Sequence, residues 1–311
     1  MRTKPLLVLV AALCIAPALR AAEQTAPHLV VWRGNLTAAY TSPSYPASPF
    51  DRAVLSWNAT GAALFELETD GDGVWRAMGK WGSQPQSVKG DGVEVDTLVL
   101  KSTAKSFRFR VTPESGTAVT LVAVTYWSKG EKNPLSEQSS AAWGRTLDVP
   151  ELSQRTAAKD SAKICSPTSL AMILRYYGAS KSLEDVAAGV YDHAGRIYGN
   201  WPFNTAYAHD ASGLEAYVRK FMGLEDLEAE IVAGRPVEIS LRWEEGDLDG
   251  APIPRSDGHM IVVAGFTPDG DVVVNDPDAK PGEVRRVYKR AQIDKTWQER
   301  GDGVAYVLSR P

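Results

Sequence analysis

Three residues stand where nucleophilic chemistry would need them. Cys165, in the stretch KICSPTSLAMILRYYG, stands directly before the first turn of a predicted helix, His259 opens an apolar strand in DGHMIVVAGF, and Asp276 closes the following strand in DVVVNDPD. A hairpin joining those two strands sets imidazole and carboxylate side by side, and a helix laid on the sheet offers the thiol to the ring. Backbone N–H groups at a helix N-terminus favour an anion, and a protonated imidazole lowers a thiol pKa from roughly 8.5 towards about 3.5–7.5. The set therefore yields a thiolate at neutral pH, with the carboxylate fixing the tautomer and orientation of the imidazole. Asp257, two residues before the histidine, is the alternative orienting acid. A zinc site built from the same trio is disfavoured, because its members come from separate segments with no short-range ligand pair. No metal and no cofactor is expected.

The elements that position this trio fall in the second half of the chain. Ser166 is predicted to cap the first helix, with Pro167 in its first turn, an apolar stripe at Leu170, Ile173, Leu174 and Tyr177, and Gly178 closing it. SLEDVAAGVY opens with a capping box from Ser182 to Asp185, and two further helices are read in SGLEAYVRKFMG, ending at Gly223, and LEDLEAEIVAG, ending at Gly234. β-rich runs follow: PVEISL, HMIVVAGF, a turn at TPDG, DVVVND, EVRRVY and VAYVLS. Helices followed by an antiparallel sheet make an α+β arrangement.

Residues 27–145 read instead as strands separated by turns. In SFRFRV, Phe107, Phe109 and Val111 share one face while Arg108 and Arg110 take the other, and LFELET repeats the device. The three prolines of YTSPSYPASPF predict an extended surface segment rather than a strand. The expectation is a β-sandwich of accessory function, with the boundary at residue 146. Trp57 and Trp127 lie inside strand patterns and are assigned to its core. Trp75 and Trp81 flank turn signals and are candidates for a face that contacts a polysaccharide or cell surface.

Residues 1–21 have the pattern of a signal peptide, with Arg2 and Lys4 before the apolar run LLVLVAALCIAPAL and small residues after it. Cys14 lies within that run, so removal of the segment leaves Cys165 as the single thiol. No later stretch approaches the roughly 20 apolar residues of a spanning helix, and no membrane span is expected. The expected location is secreted or periplasmic. Removing residues 1–21 deletes three cations and no acid, which moves the formal charge from −4 to −7. Nucleic acid is excluded as an expected partner.

CSPTSLAMILRYYG resembles the Cys-Gly-Pro-Ala-Ser helix of the papain-like bacteriocin-processing peptidases, family C-thirty-nine, and more closely that of their single-chain secreted relatives. DGHMIVVAGFTPDGDVVVNDP is similar to the His strand and Asn-Asp-Pro strand of the same family, and GNWPFNTAYA is shared with those relatives. The resemblance covers roughly residues 147–310. It implies a papain-like cysteine peptidase fold over residues 146–311, with Cys165 as nucleophile, His259 as general base and acid, and Asp276 as orienting residue. It also implies an oxyanion-hole glutamine upstream of the cysteine, for which Gln154 in PELSQ is the candidate; its spacing requires residues 155–164 to loop out. The sequence carries no P-loop motif, so neither coupling to transport nor cleavage of a double-glycine leader follows.

The function expected is a secreted cysteine hydrolase that cleaves a peptide or other amide bond through a thioacyl-enzyme, with a peptide or protein as substrate. The same triad would serve an acyl or peptidyl transferase. The alternative from another class is a non-catalytic binding protein that uses its β-rich half. Trp201, Phe203 and Tyr207 either line a substrate pocket or fill the space between helices and sheet.

Overall fold

The computed structural model describes residues 22–311, so the signal-peptide reading and Cys14 lie outside the described residues. Nine strands come first: β1 (Ala22–Ala26), β2 (Leu29–Leu36), β3 (Tyr40–Thr41), β4 (Tyr45–Thr60), β5 (Ala63–Thr69), β6 (Arg76–Trp81), β7 (Val93–Glu94), β8 (Thr97–Pro113) and β9 (Ala118–Trp127). They form one antiparallel sheet in the order β1-β2-β9-β4-β8-β5-β6, with β3 and β7 also paired to β8. The alternation read in β8 is present: Phe107, Phe109 and Val111 are buried. On the opposite face, Arg110 donates to Glu66 at 2.7 Å and Arg108 pairs with Glu68 across the ladder to β5.

The predicted sandwich of two sheets is a single sheet folded onto itself. Val54 of β4 pairs with Thr97 at one end of β8, whereas Phe65 of β5 pairs with Val111 near the other end. Yet the rings of Trp57 and Phe65 stack at 3.9 Å, which requires the long strands β4 and β8 to bend the sheet back over its own apolar face. The proline-rich segment is extended with its three prolines exposed, as read, but part of it is paired into the sheet. β4 begins inside it, pairing Tyr45 with Phe107 and Pro46 with Ser106, and register shifts on either side of Phe50 keep the prolines from interrupting a regular ladder. Tyr45 and Phe50 are buried there.

The second half holds α1 (Cys165–Tyr176), α2 (Leu183–Val190), α3 (Trp201–Ser212), β10 (Glu215–Lys220), α4 (Leu224–Val232), β11 (Val237–Trp243), β12 (Ser256–Phe266), β13 (Val272–Asn275), β14 (Arg285–Tyr288), the short α5 (Arg290–Ile293) and β15 (Val304–Ser309). Its sheet runs β10-β15-β11-β12-β13-β14. The expected strands from PVEISL to VAYVLS are all present. The helix read in SGLEAYVRKFMG is not: that stretch is β10, with Ala216, Val218 and Lys220 buried in alternation. Helix α3 begins in GNWPFNTAYA and runs on to Ser212, where the sequence patterns predict no helix.

The two halves are fastened along β10, whose outer edge would otherwise present unpaired backbone. Asn58 of β4 grips Ala216 twice, Nδ2 donating to its carbonyl at 2.6 Å and Oδ1 accepting its N–H at 3.1 Å. Ser56 Oγ accepts the N–H of Val218 and Thr125 Oγ1 that of Lys220. Above this seam α3 sends Phe203 into the first sheet's core, edge-on to Trp57 at 6.1 Å. Gly79 of β6 admits that packing, since a Cβ there would lie 3.0 Å from Trp57 and 3.2 Å from Phe203. Among the described residues no helix is long and apolar enough to cross a membrane.

Candidate active site

α1 begins two residues earlier than its sequence signals indicate. Its N-cap is Ile164, which supplies no side-chain hydrogen bond, and Cys165 is the first helical residue. Ser166 does not cap the helix; its hydroxyl turns inward to Asn204, Glu238 and Tyr306. Cys165 is a free, half-buried thiol at the mouth of a cleft.

β12 and β13 form the expected hairpin, with Val262 opposite Asn275. His259 sits nearer the start of β12 and Asp276 just past the end of β13, so both project from the same end of the sheet, and both are buried. His259 Nε2 lies 2.8 Å from Asp276 Oδ1. That leaves Nδ1 for the hydrogen bond between the imidazole and the Cys165 thiol. Asp276 is held on its other sides as well, by Tyr288 Oη donating to Oδ2 at 2.7 Å and by the Asp278 N–H donating to Oδ1 at 3.0 Å. The Trp243 ring stands edge-on to the imidazole at 5.6 Å. Asp257, the alternative acid, is exposed and lines the cleft.

The electrostatics follow from this arrangement. Burial pushes the Cys165 thiol up, but the hydrogen bond and charge of His259, with the N–H groups of Met260 and Ser166, outweigh it and hold the thiol below its ordinary value. Burial likewise disfavours charge on His259, yet Asp276 and the thiolate raise it well above the ordinary histidine range. Asp276 is also pushed up by burial and brought down further by His259, Tyr288 and the Asp278 N–H. All three shifts favour a thiolate–imidazolium pair braced by a carboxylate.

Gln154 opens a short 3-10 turn, Gln154–Thr156, and is buried. Its backbone N–H donates to Pro277 O at 2.8 Å and its Nε2 to Asp278 Oδ1 at 3.3 Å, which anchors it beside the Asp276 end of the site.

The cleft beside Cys165 has a volume of about 790 Å³ and is walled by both halves of the chain, with Arg52, Asp96 and Trp127 from the first facing Trp201 and Arg242 from the second. Of the three aromatic residues expected to line it, only Trp201 does. Phe203 is fully buried between Trp57 and Trp81. The Tyr207 ring occupies the space over Gly189, where a Cβ would come within 2.1 Å of it, and so packs α2 on α3. The expected aromatic face on the first half is also altered. Trp81 is core, and Trp75 is half-buried beneath Arg110 and Arg108, whose guanidinium carbons lie 4.4 and 5.3 Å from its ring. Trp57 is in the core of the first half as read, whereas Trp127 is buried in the core of the second half.

Several contributors were not found from sequence. Tyr288 braces Asp276 and was legible only as an inward position of EVRRVY, while Glu238 was a lone acid in the apolar strand PVEISL. Asp96 and Asn204 gave no local signal.

No curated protein matches the chain in a sequence search. Among solved structures, a protein described as a C39-like peptidase from Bacillus anthracis is similar at 17% identity and a TM-score of 0.42, covering 53% of this chain and 98% of that one. A double glycine motif protease from an AMS/PCAT transporter, solved with the leader peptide, is similar at 21% identity and a TM-score of 0.39, covering 54% of this chain and 95% of that one. The model of the Peptidase_C39 like family matches residues 146–304, just over half of the sequence, a stretch that holds Cys165, His259 and Asp276. The chain belongs to that family.

Proposed function

We propose that the protein is an exported cysteine hydrolase that cleaves a peptide or other amide bond. The observation that carries this reading is the imidazole of His259, held between Asp276 at 2.8 Å and the Cys165 thiol. In the reaction, the Cys165 thiolate adds to the scissile carbonyl carbon. His259 gives its proton to the departing amine as the C–N bond breaks, which leaves a thioacyl-enzyme. His259 then takes a proton from water, the resulting hydroxide adds to the thioester carbonyl, and the C–S bond breaks to return the thiolate and release the acid. The Cys165 N–H and the Gln154 amide are the donors proposed for the developing oxyanion. Export is supported by the pattern of residues 1–21, and the first half is assigned a substrate-positioning role because it walls the cleft.

A peptidyl vinyl sulfone tests the reading. It should label the wild-type protein at Cys165, identified by mass spectrometry of the adduct, and leave Cys165→Ala unlabelled. Wild-type protein that resists the reagent while remaining folded overturns it.

A further inference from the structure

Directly beneath Cys165 lies a cluster of four polar side chains, Ser166, Asn204, Glu238 and Tyr306, each almost wholly shut off from solvent. They come from α1, α3, β11 and β15 and meet at one atom. Ser166 Oγ lies 3.1 Å from Asn204 Oδ1, 3.0 Å from Glu238 Oε1 and 3.3 Å from Tyr306 Oη.

The protons in this cluster can be counted. Asn204 Nδ2 is committed to the carbonyls of Tyr198 and Asn200, both at 2.8 Å, so the atom facing Ser166 is the amide oxygen, which only accepts. A serine hydroxyl has one proton and two lone pairs. If Glu238 were ionised, Ser166 would face two acceptors with one proton, and one of the two contacts would set oxygen lone pairs against each other in a buried site. If Glu238 carries a proton, every contact is satisfied: Glu238 and Tyr306 donate to Ser166 Oγ, and Ser166 donates to Asn204. The outer oxygen of Glu238, Oε2, has no hydrogen-bond partner. A neutral carboxyl tolerates that position far better than an anion does.

We infer that Glu238 is a neutral carboxylic acid in the folded protein and serves as a positioning residue. It pins the first turn of α1 through Ser166 while keeping a second negative charge away from the thiolate one residue earlier. Complete burial and the neighbouring thiolate both act on Glu238 in that direction. The other titratable groups about the cluster are Tyr306 itself and, further out, Asp96, neither of which is a cation that would favour its ionisation. The proton inventory stands apart from the catalytic reading, which enters only through the consequence for Cys165.

Two measurements test it. In the infrared difference spectrum of wild type minus Glu238→Gln at about pH 8, where exposed carboxyls are ionised, a protonated-carboxyl C=O band should appear. In parallel, the pH midpoint for alkylation of Cys165 by iodoacetamide should be nearly unchanged in Glu238→Gln, because an amide N–H replaces the O–H without a change in charge. Glu238→Ala should slow alkylation at pH 6 several-fold by releasing Ser166. A missing band, or a midpoint that falls by about one unit or more in Glu238→Gln, would show that an anion had been removed and overturns the inference. Should Glu238→Gln fail to fold, the carboxyl band of the wild-type protein, compared between light and heavy isotope labelling of glutamate carboxyls, decides the protonation state. Failure of the hydrolase reading would leave the band in place, so the two outcomes are distinguishable.

Discussion

The carboxylate of Asp96, carried by the first half of the chain, accepts the backbone N–H of Trp201 at 2.9 Å and so ties the first turn of α3 to the opposite half. An acid suits a helix N-terminus, but burial dominates here and pushes Asp96 from 3.8 up to about 6. A raised carboxyl pKa means that the fold disfavours the ionised form. Stability is therefore lost as pH rises from about 4 to about 6, by at most about 3 kcal/mol. Asp96→Asn keeps an acceptor for Trp201 and removes the penalty. Thermal melts should show the variant more stable than wild type at pH 8 and no more stable at pH 4. A difference that does not change with pH would refute this.

Alkylation of Cys165 by iodoacetamide should be rapid at pH 6. His259→Ala should slow it at least tenfold there and move its midpoint towards the roughly 8.5 of a free thiol. Equal rates in the two proteins would remove the ion pair from the site.

Tyr288→Phe should keep the ring in place and lose the hydrogen bond to Asp276, at a cost of about 1.5–3 kcal/mol for a bond to a charged group. Because Tyr288 helps to hold Asp276 low, the acid limb of kcat/KM should move to higher pH in the variant. Asp276→Ala should lower turnover more strongly while leaving Cys165 alkylatable. Unchanged pH profiles in both would separate this acid from the chemistry.

Residues 146–311 produced alone should be insoluble, since Phe203 and the edge of β10 lose their cover. In the full chain, Asn58→Ala strands both backbone groups of Ala216 and should destabilise by about 2–4 kcal/mol in denaturant titration. A soluble, fully active fragment would make the first half dispensable.

What the sequence revealed depended on which residues carried local signals. Cys165, His259 and Asp276 were legible because each sits at the end of an element with strong apolar periodicity. β10 was misread because its inward alternation includes Lys220, a cation in a buried position, where its Nζ donates to Gln298 at 3.1 Å. α3 was missed because it is buried on more than one side, with Phe203 towards one core and Asn204 towards the Ser166 cluster, so no polar face marks its period. Trp81 reads as a surface aromatic, and Phe203 as either pocket lining or packing, for the same reason: each is packed against a ring from the other half of the chain.

The missing side-chain cap at Ile164 has a consequence for engineering. A serine or aspartate at that position would be a routine stabilising substitution, worth about 1 kcal/mol at an ordinary helix start. Here it would claim the N–H groups of the first turn, one of which, that of Ser166, faces the sulfur anion. The tighter helix would then be the less reactive protein.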